Sequence, residues 1–372
     1  MSDSELTYKV GLSMVKGSNR NLILRMEEFG ISPKEFFTLD TPALSDSLGL
    51  SSGTRFEKMD RDEALFKARK EIELMERHHI RAYFILDSDY PVRLYQIENA
   101  PVILYQLGNT SLDSPHIINL VGTRKPTPYG ISFCKTLVTD LSAYFSDLIV
   151  VSGLAYGIDA AAHTAALENS VNTVAVVAHG LNMIYPAQHR DLAKKIIASG
   201  GSIVTEYPFG STPYRQRFLE RNRIIAALSD VTIVAESDLR GGAMSTANSA
   251  FSFSREVAAL PGRISDKLSS GCNKLIRKQK AHLITSAADL IEITGWQPLG
   301  MNVDVTQRNL FPELEGDTKL IYDTISFSAD PMQADRIHHL TLLPMPKLMS
   351  LLGEMEFDGL IIRHPGNRFS IS

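Results

Sequence analysis

Between Ala82 and Ser286 the chain repeats one alternation: a short run of almost purely apolar residues, a turn, then an amphipathic helical segment. The runs are "AYFIL", "VILYQLG", "IINLVGT", "LIVVSG", "TVAVVAHG", "SIVTEY", "VTIVAE" and "EVAAL", with "HLITS" as a last edge. This alternation narrows the fold more than any other feature. Strands that are apolar on both faces need cover on both sides, and in alternation with helices they give a mostly parallel sheet with right-handed crossovers. The expected fold class is α/β, an extended Rossmann-like, mostly parallel sheet. Ligands of such sheets bind beyond the carboxyl ends of the strands, so function is expected in the loops that leave these runs.

The flanks have a different texture. Residues 1–78 read as a small helical domain, SAM/helix-hairpin-helix-like: "NLILRMEEFG" closes at Gly30, Pro33 opens "SPKEFFTL", and "RDEALFKARKEIELMERHHI" has apolar residues at helical spacing. Its "VKGSNRN" lacks the paired glycines with which a helix-hairpin-helix holds a DNA phosphate. Residues 79–298 are expected to form the Rossmann-like domain, 299–316 a Pro/Gly-punctuated linker, and 317–372 a winged-helix-like domain, three helices and a hairpin turning at Pro365-Gly366-Asn367. A DNA-reading winged helix carries basic residues on its third helix. Pro346 to Glu356 offers one Lys against two Glu, which weights this module toward protein contacts.

With 372 residues, 44% of them hydrophobic, the chain exceeds what one core usually organises, so more than one domain is expected. Its two cysteines, Cys134 and Cys272, form neither a disulfide framework nor a zinc motif, and they suit a reducing cytoplasm. The first residues hold no apolar signal core, and no stretch reaches the roughly 18 apolar residues of a membrane span. No membrane partner, cofactor or metal is expected. A formal net charge of -4 argues against a polyanionic partner, but its distribution argues the other way. Ser211 to Ile225 holds four arginines against the single acid Glu220, and Arg263 to Lys280 holds six basic residues against Asp266.

Four loops after the runs are specialised. The first carries Gly122, Thr123 and Arg124, where glycine admits an anion to the backbone and arginine forks onto a phosphate. The second, "VVSGLAYGIDAAAHTAAL", carries Ser152, Gly153 and Gly157 ahead of a helix whose free N–H groups and dipole favour an anion. Asp159 and His163, four residues apart on that helix, read either as a catalytic dyad or as braces of the turn, the second reading carrying more weight. The third, "AHGLNMIYPAQHRDLAKKI", turns at Tyr185-Pro186. The fourth places Arg221-Asn222-Arg223 before a strand and Arg240-Gly241-Gly242 after it. Neither a dinucleotide fingerprint nor a P-loop is present. The set describes a row of phosphate sites rather than one nucleotide cleft.

Taken in order, "VGTRKPTPYG", "SGLAYGIDAAAHTAAL", "GLNMIYPAQH", "TEYPFG", "RFLERNRIIAALSD", "ALPGRISDKLSSGCNKLI" and "HLITSAADLI" resemble the DNA-processing protein A family of bacteria (DprA, also called Smf), over roughly Tyr83 to Ile291. The resemblance implies a protein without catalysis that binds single-stranded DNA, dimerises through the Rossmann-like domain, protects incoming DNA and helps to load RecA recombinase in natural transformation. It implies DNA or phosphate contacts from Gly122, Thr123, Arg124, Ser152, Gly153, Gly157, Arg221, Asn222, Arg223, Arg240, Gly241, Gly242, Asn273 and Lys274, with Asp159 and His163 structural at the pocket. The sequence departs from the pattern at Gly241-Gly242-Ala243, which loses two hydroxyls, at Lys280-Ala281, and at His189. Phe209, Tyr214 and Phe218, interleaved with Arg215 and Arg217, are candidate stacking faces for bases. The alternative reading is a Rossmann-like nucleotide hydrolase, phosphoribohydrolase-like, that uses the same pocket. Its usual P-G-G-x-G-T-x-x-E signature is absent, and "RGGAMSTANSAF" is the nearest segment.

Overall fold

Each of the nine apolar runs forms a strand of one sheet: β1 (Ile80–Phe84), β2 (Ile103–Gly108), β3 (Ile117–Val121), β4 (Ile149–Ser152), β5 (Asn172–Val176), β6 (Ser202–Thr205), β7 (Val231–Val234), β8 (Glu256–Ala259) and β9 (His282–Leu283). The structure, a computed structural model, describes residues 3–49, 56–298, 314, 316–328, 331–357, 360–364 and 367–371. The expected linker, apart from Leu314 and Gly316, and the Pro365-Gly366 part of the expected hairpin turn lie outside the described residues. Residues 1–300 and 301–372 form two compact units.

Strand order in the large sheet is β1-β2-β6-β5-β4-β3-β7-β8-β9. From β6 to β9 every pairing is parallel, and β2 and β1 continue the sheet antiparallel beyond β6. The chain runs outward from β3 through β4, β5 and β6, then returns to place β7 on the other side of β3. That reversal makes the carboxyl ends of β3 and β7 the topological switch point, where an open α/β sheet leaves a crevice.

Alternation along the strands divides the core into two faces, as the period of two requires. Ile118, Leu120 and Val150 face a layer of α7 (Pro128–Tyr144), α8 (Ile158–Glu168) and α13 (Ala287–Thr294), and α9 (Arg190–Ala198) packs by Ala175 and Ile203. Ile117, Val121 and Val151 face α10 (Arg215–Leu228), α11 (Gly242–Ser252) and α12 (Ser270–Arg277). The amino-terminal helices α1 (Glu5–Met14), α2 (Arg20–Glu28), α3 (Pro33–Thr38), α4 (Thr41–Ser47) and α5 (Lys58–His78) share that second core, with Val10, Phe36 and Phe37 in the same cluster as Phe84 and Tyr105; a short α6 (Val92–Tyr95) follows β1. Their starts follow sequence rules: Ser4, Asn19, Ser32 and Asp40 each cap a helix, and Ser32 with Glu35 completes a capping box.

The second unit contains α14 (Gly316–Ser326), β10 (Met332–Gln333), α15 (Ala334–Thr341), α16 (Met345–Phe357), β11 (Ile361–His364) and β12 (Arg368–Ile371) around Ile321, Ile337, Leu348, Leu352 and Phe369. Three helices and an antiparallel β11–β12 pair are the elements of a winged helix. Among the described residues no helix is long and apolar enough to cross a membrane.

Candidate functional site

At the switch point the crevice is a cavity of about 740 Å³. It is walled by the loop after β3, the start of α8, the Tyr185 turn, the first turns of α10, and the loop from β7 into α11. Of the residues expected at the site, it brings together Gly122, Thr123, Arg124, Asp159, Arg221, Asn222, Arg240, Gly241 and Gly242. Tyr185, Tyr214, Arg215, Phe218, Ser237 and Asp238 join them.

Its charge is layered. Arg124, Arg215 and Arg240 are exposed at the rim, and among the described residues no carboxylate pairs with any of them. Arg221 is buried at the floor, donating through Nη1 to the carbonyls of Gly153 and Val176, both at 2.6 Å. Its Nε is buried without a partner. Burial lowers the guanidinium's affinity for its proton, and neighbouring Asp159 opposes that; the Asp159 carboxyl in turn is raised by burial and pulled back first by Arg221. Two arginines lie 5.9 Å from the half-buried Phe218 ring, Arg124 and Arg221, and the exposed Tyr185 ring approaches it at 5.6 Å between centroids. Cationic groups thus alternate with aromatic faces along one wall. The Tyr185 turn is fixed from behind by buried His179, whose Nδ1 bonds the Gly180 carbonyl and whose Nε2 accepts from the Tyr185 N–H at 3.2 Å. Burial keeps that imidazole below its ordinary pKa, as its acceptor role requires.

Several expected residues serve the cavity without lining it. Ser152 is fully buried, and its hydroxyl donates to Leu120 O. Gly153 lies behind Arg221: a Cβ there would sit 2.0 Å from Nη1 and 2.7 Å from the Asp159 carboxylate, so glycine is what admits the buried arginine. Gly157, at φ +82°, lets the start of α8 meet the backbone of Thr123 and Arg124, 2.2 Å from where its Cβ would be. Two donors of that turn are already engaged. Ile158 N–H donates to Thr123 O at 3.2 Å and Ala155 N–H to the Asp159 carboxylate at 3.3 Å. The Asp159 carboxylate thus takes one donor of this turn from within the protein.

His163 is also a packing residue. It is fully buried with Nδ1 2.7 Å from Thr173 Oγ1, which donates to Val150 O, so it ties α8 to the sheet. Burial depresses its pKa to about 3. The folded state holds it neutral while the unfolded chain takes up a proton below roughly pH 6.5, so stability falls as pH falls, by up to about 1.4 kcal/mol per pH unit. His163→Gln, which keeps a partner for Thr173, removes this dependence. The wild-type advantage in urea midpoint is expected to shrink between pH 7 and pH 5; a constant gap means that the imidazole is not held neutral.

The remaining expected residues separate. Arg223 lies about 200° around α10 from Arg221, pairs with Glu206, and lines a different cavity. Asn273 clasps the Gly262 loop, its amide bonding Gly262 O at 2.9 Å and Gly262 N–H at 3.2 Å. Lys274 is half-buried on α12, away from the cavity lining. Phe209 stacks on His78 at 5.1 Å and packs on the core, and Arg217 lies between the Tyr207 and Tyr214 rings. Glu236, unassigned by sequence, is the residue that shapes the rim. It is 3% exposed, its carbonyl accepts from Thr123 N–H at 2.7 Å, and its carboxylate accepts from Thr127 N–H at 2.8 Å. An acid closing an apolar strand, as in "VTIVAE", was the available signal.

Residues 81–295 match the DNA recombination-mediator protein A family, and residues 310–367 match the DprA winged helix domain. The chain belongs to the DNA recombination-mediator protein A family. Among relatives, Protein Smf of Synechocystis is 31% identical, with 99% of each chain covered. The X-ray structure of DNA processing protein A from Streptococcus pneumoniae superposes with a TM-score of 0.66 at 32% identity, over 80% of this chain and all of that one. DNA processing protein A from Helicobacter pylori, whose structure is described for its single-stranded DNA binding mode, gives a TM-score of 0.51 at 32% identity, over 57% of this chain and 94% of that one. The expected fold class, a mostly parallel α/β sheet with a winged helix, is what the structure and this family share.

Proposed function

We propose that this recombination-mediator family member binds single-stranded DNA in the switch-point cavity and acts without catalysis. The observation that carries the reading is the combination of rim arginines that pair with no carboxylate among the described residues, Arg124, Arg215 and Arg240, with the aromatic faces of Phe218, Tyr214 and Tyr185. A cationic track follows the backbone of a strand, and aromatic rings stack on bases that a duplex keeps to itself. The contacts assigned to DNA are those of Gly122, Thr123, Arg124, Asn222, Arg240, Gly241 and Gly242, with Arg221 and Asp159 forming the floor. The relative from Helicobacter pylori supports the choice of ligand.

In the cytoplasm the bound strand is protected and handed to RecA recombinase during natural transformation. The Rossmann-like domain, residues 79–298, dimerises; the open edge at β9, with both of its residues exposed, and the exposed Phe251 suit such a contact. The winged-helix module serves protein contacts: Lys347, the basic residue of α16, is already paired with Asp317.

Fluorescent poly-dT is expected to bind more tightly than duplex, with log affinity falling against log salt at a slope near -3 if about four phosphates are engaged, at roughly 0.7 per phosphate. Equal or stronger duplex binding removes the reading. Incubation with AMP is expected to release no adenine; release would restore the hydrolase alternative.

A further inference from the structure

The loop that carries Arg124 separates two hollows. On one side lies the switch-point cavity, and on the other a groove of about 810 Å³ between α7 and α8. Arg124 lines both, whereas the next residue, Lys125, lines the groove and not the cavity. The loop is held at both ends: Lys125 N–H donates to Thr123 Oγ1 at 3.2 Å, and Thr127 N–H to the Glu236 carboxylate at 2.8 Å. Two consecutive exposed cations are thus fixed where cavity and groove meet.

The groove is cationic at its edges. Arg124, Lys125 and Lys135 stand against one acid of the lining, Glu168. Lys135 meets Glu168 at 2.9 Å, but the two side chains are 64% and 48% exposed, and an ion pair so open to water is weak enough for a phosphate to compete with. Among the described residues no carboxylate pairs with Lys125. The floor is different. Ala160, Ala161 and Thr164 of α8 are small, while Ile131 of α7 and Tyr156 at the head of α8 keep large apolar side chains exposed. The Tyr156 ring is steadied by its hydroxyl, which donates to Gln188 Oε1 at 2.7 Å, and by His189, which it meets edge to face at 5.0 Å. A cationic edge beside flat apolar surface suits a polymer charged along its backbone and flat in its side groups.

We propose that a single strand bound in the switch-point cavity crosses Arg124 and continues into this groove. Lys125 and Lys135 take its phosphates, and its bases rest on Tyr156, Ile131 and the small face of α8. This path rests on the reading of the cavity as a single-strand site, and adds a second segment to it. An acidic peptide would answer the charge of the groove but not its continuity with the cavity. Arg124 belongs to both spaces, so a strand held there meets the groove beyond it.

Oligo-dT of about 4 and about 16 nucleotides, the ends of the usual range for single-strand sites, separates the two segments on the full chain. The short oligonucleotide is expected to fill the cavity alone, and the long one to bind more tightly by reaching the groove. Lys125→Ala with Lys135→Ala is expected to weaken the long oligonucleotide about a hundredfold at low salt, tenfold per lost contact, and to flatten its salt slope by about 1.4. The short one should bind as before. Thr164→Cys adds a local readout, because Cys134 and Cys272 are buried and the introduced thiol is exposed. Its alkylation should be slowed by the long oligonucleotide, and by neither the short one nor poly-glutamate. Unslowed alkylation, equal protection by poly-glutamate or by the short oligonucleotide, or unchanged affinity of the double variant for the long one would each overturn the path through the groove. Binding of the short oligonucleotide that Arg240→Ala weakens keeps the cavity reading in those cases; its absence removes both.

Discussion

Arg221→Met is expected to remove about 3–5 kcal/mol of folding stability, read as a lower denaturant midpoint at unchanged slope. Methionine fills much of the arginine stem's space but donates nothing. The carbonyls of Gly153 and Val176 lose their 2.6 Å partner, and the buried Asp159 carboxylate loses the charge that chiefly offsets its burial. Leaving such groups unpaired costs more than the bonds contributed. Arg221→Lys restores a charge but not the planar fork, so it recovers only part of the loss. A midpoint equal to wild type would show that Arg221 is not a floor residue, and would release its charge for direct contact with a ligand.

The double replacement Arg124→Ala with Arg240→Ala is expected to behave in the opposite way. Both side chains are exposed and free of carboxylates, so stability should stay within about 0.5 kcal/mol of wild type. If each holds one phosphate, affinity for poly-dT falls about a hundredfold at low salt, tenfold per charged contact. The salt slope flattens by about 1.4, twice the single-strand increment. Retained affinity with an unchanged slope would move the strand elsewhere on the surface. The two experiments separate roles that are both arginine in the sequence: Arg221 builds the cavity, and Arg124 and Arg240 face its solvent side.

The contrast extends to the glycines. Gly153 and Gly157 read as an anion cradle because glycine before a helix so often presents free N–H groups. The fold uses them for clearance, one for the Arg221 guanidinium and the other for the Thr123–Arg124 backbone. Two donors of the turn are engaged locally, by Asp159 and by Thr123 O. A spacing pattern states that backbone can approach something closely. It does not state whether that partner is a ligand or another part of the chain.

Strand number, the parallel sheet and the placing of the candidate cavity at the strands' carboxyl ends were all legible in the apolar runs, because a strand covered on both faces must be apolar at every position and the switch point follows from crossover topology. The loops bearing Arg124, Arg221 and Arg240 were legible for the same reason. The division of labour among these residues was not. Two positions along a helix turn a side chain about 200°, so Arg221 and Arg223 serve different cavities. Burial then decides whether a charge is spent inside the protein or kept for a ligand. Those outcomes depend on neighbours far apart in sequence, such as Gly153 for Arg221 and Glu206 for Arg223. Local sequence fixes which elements form and where they end, and only their packing fixes what each charge meets.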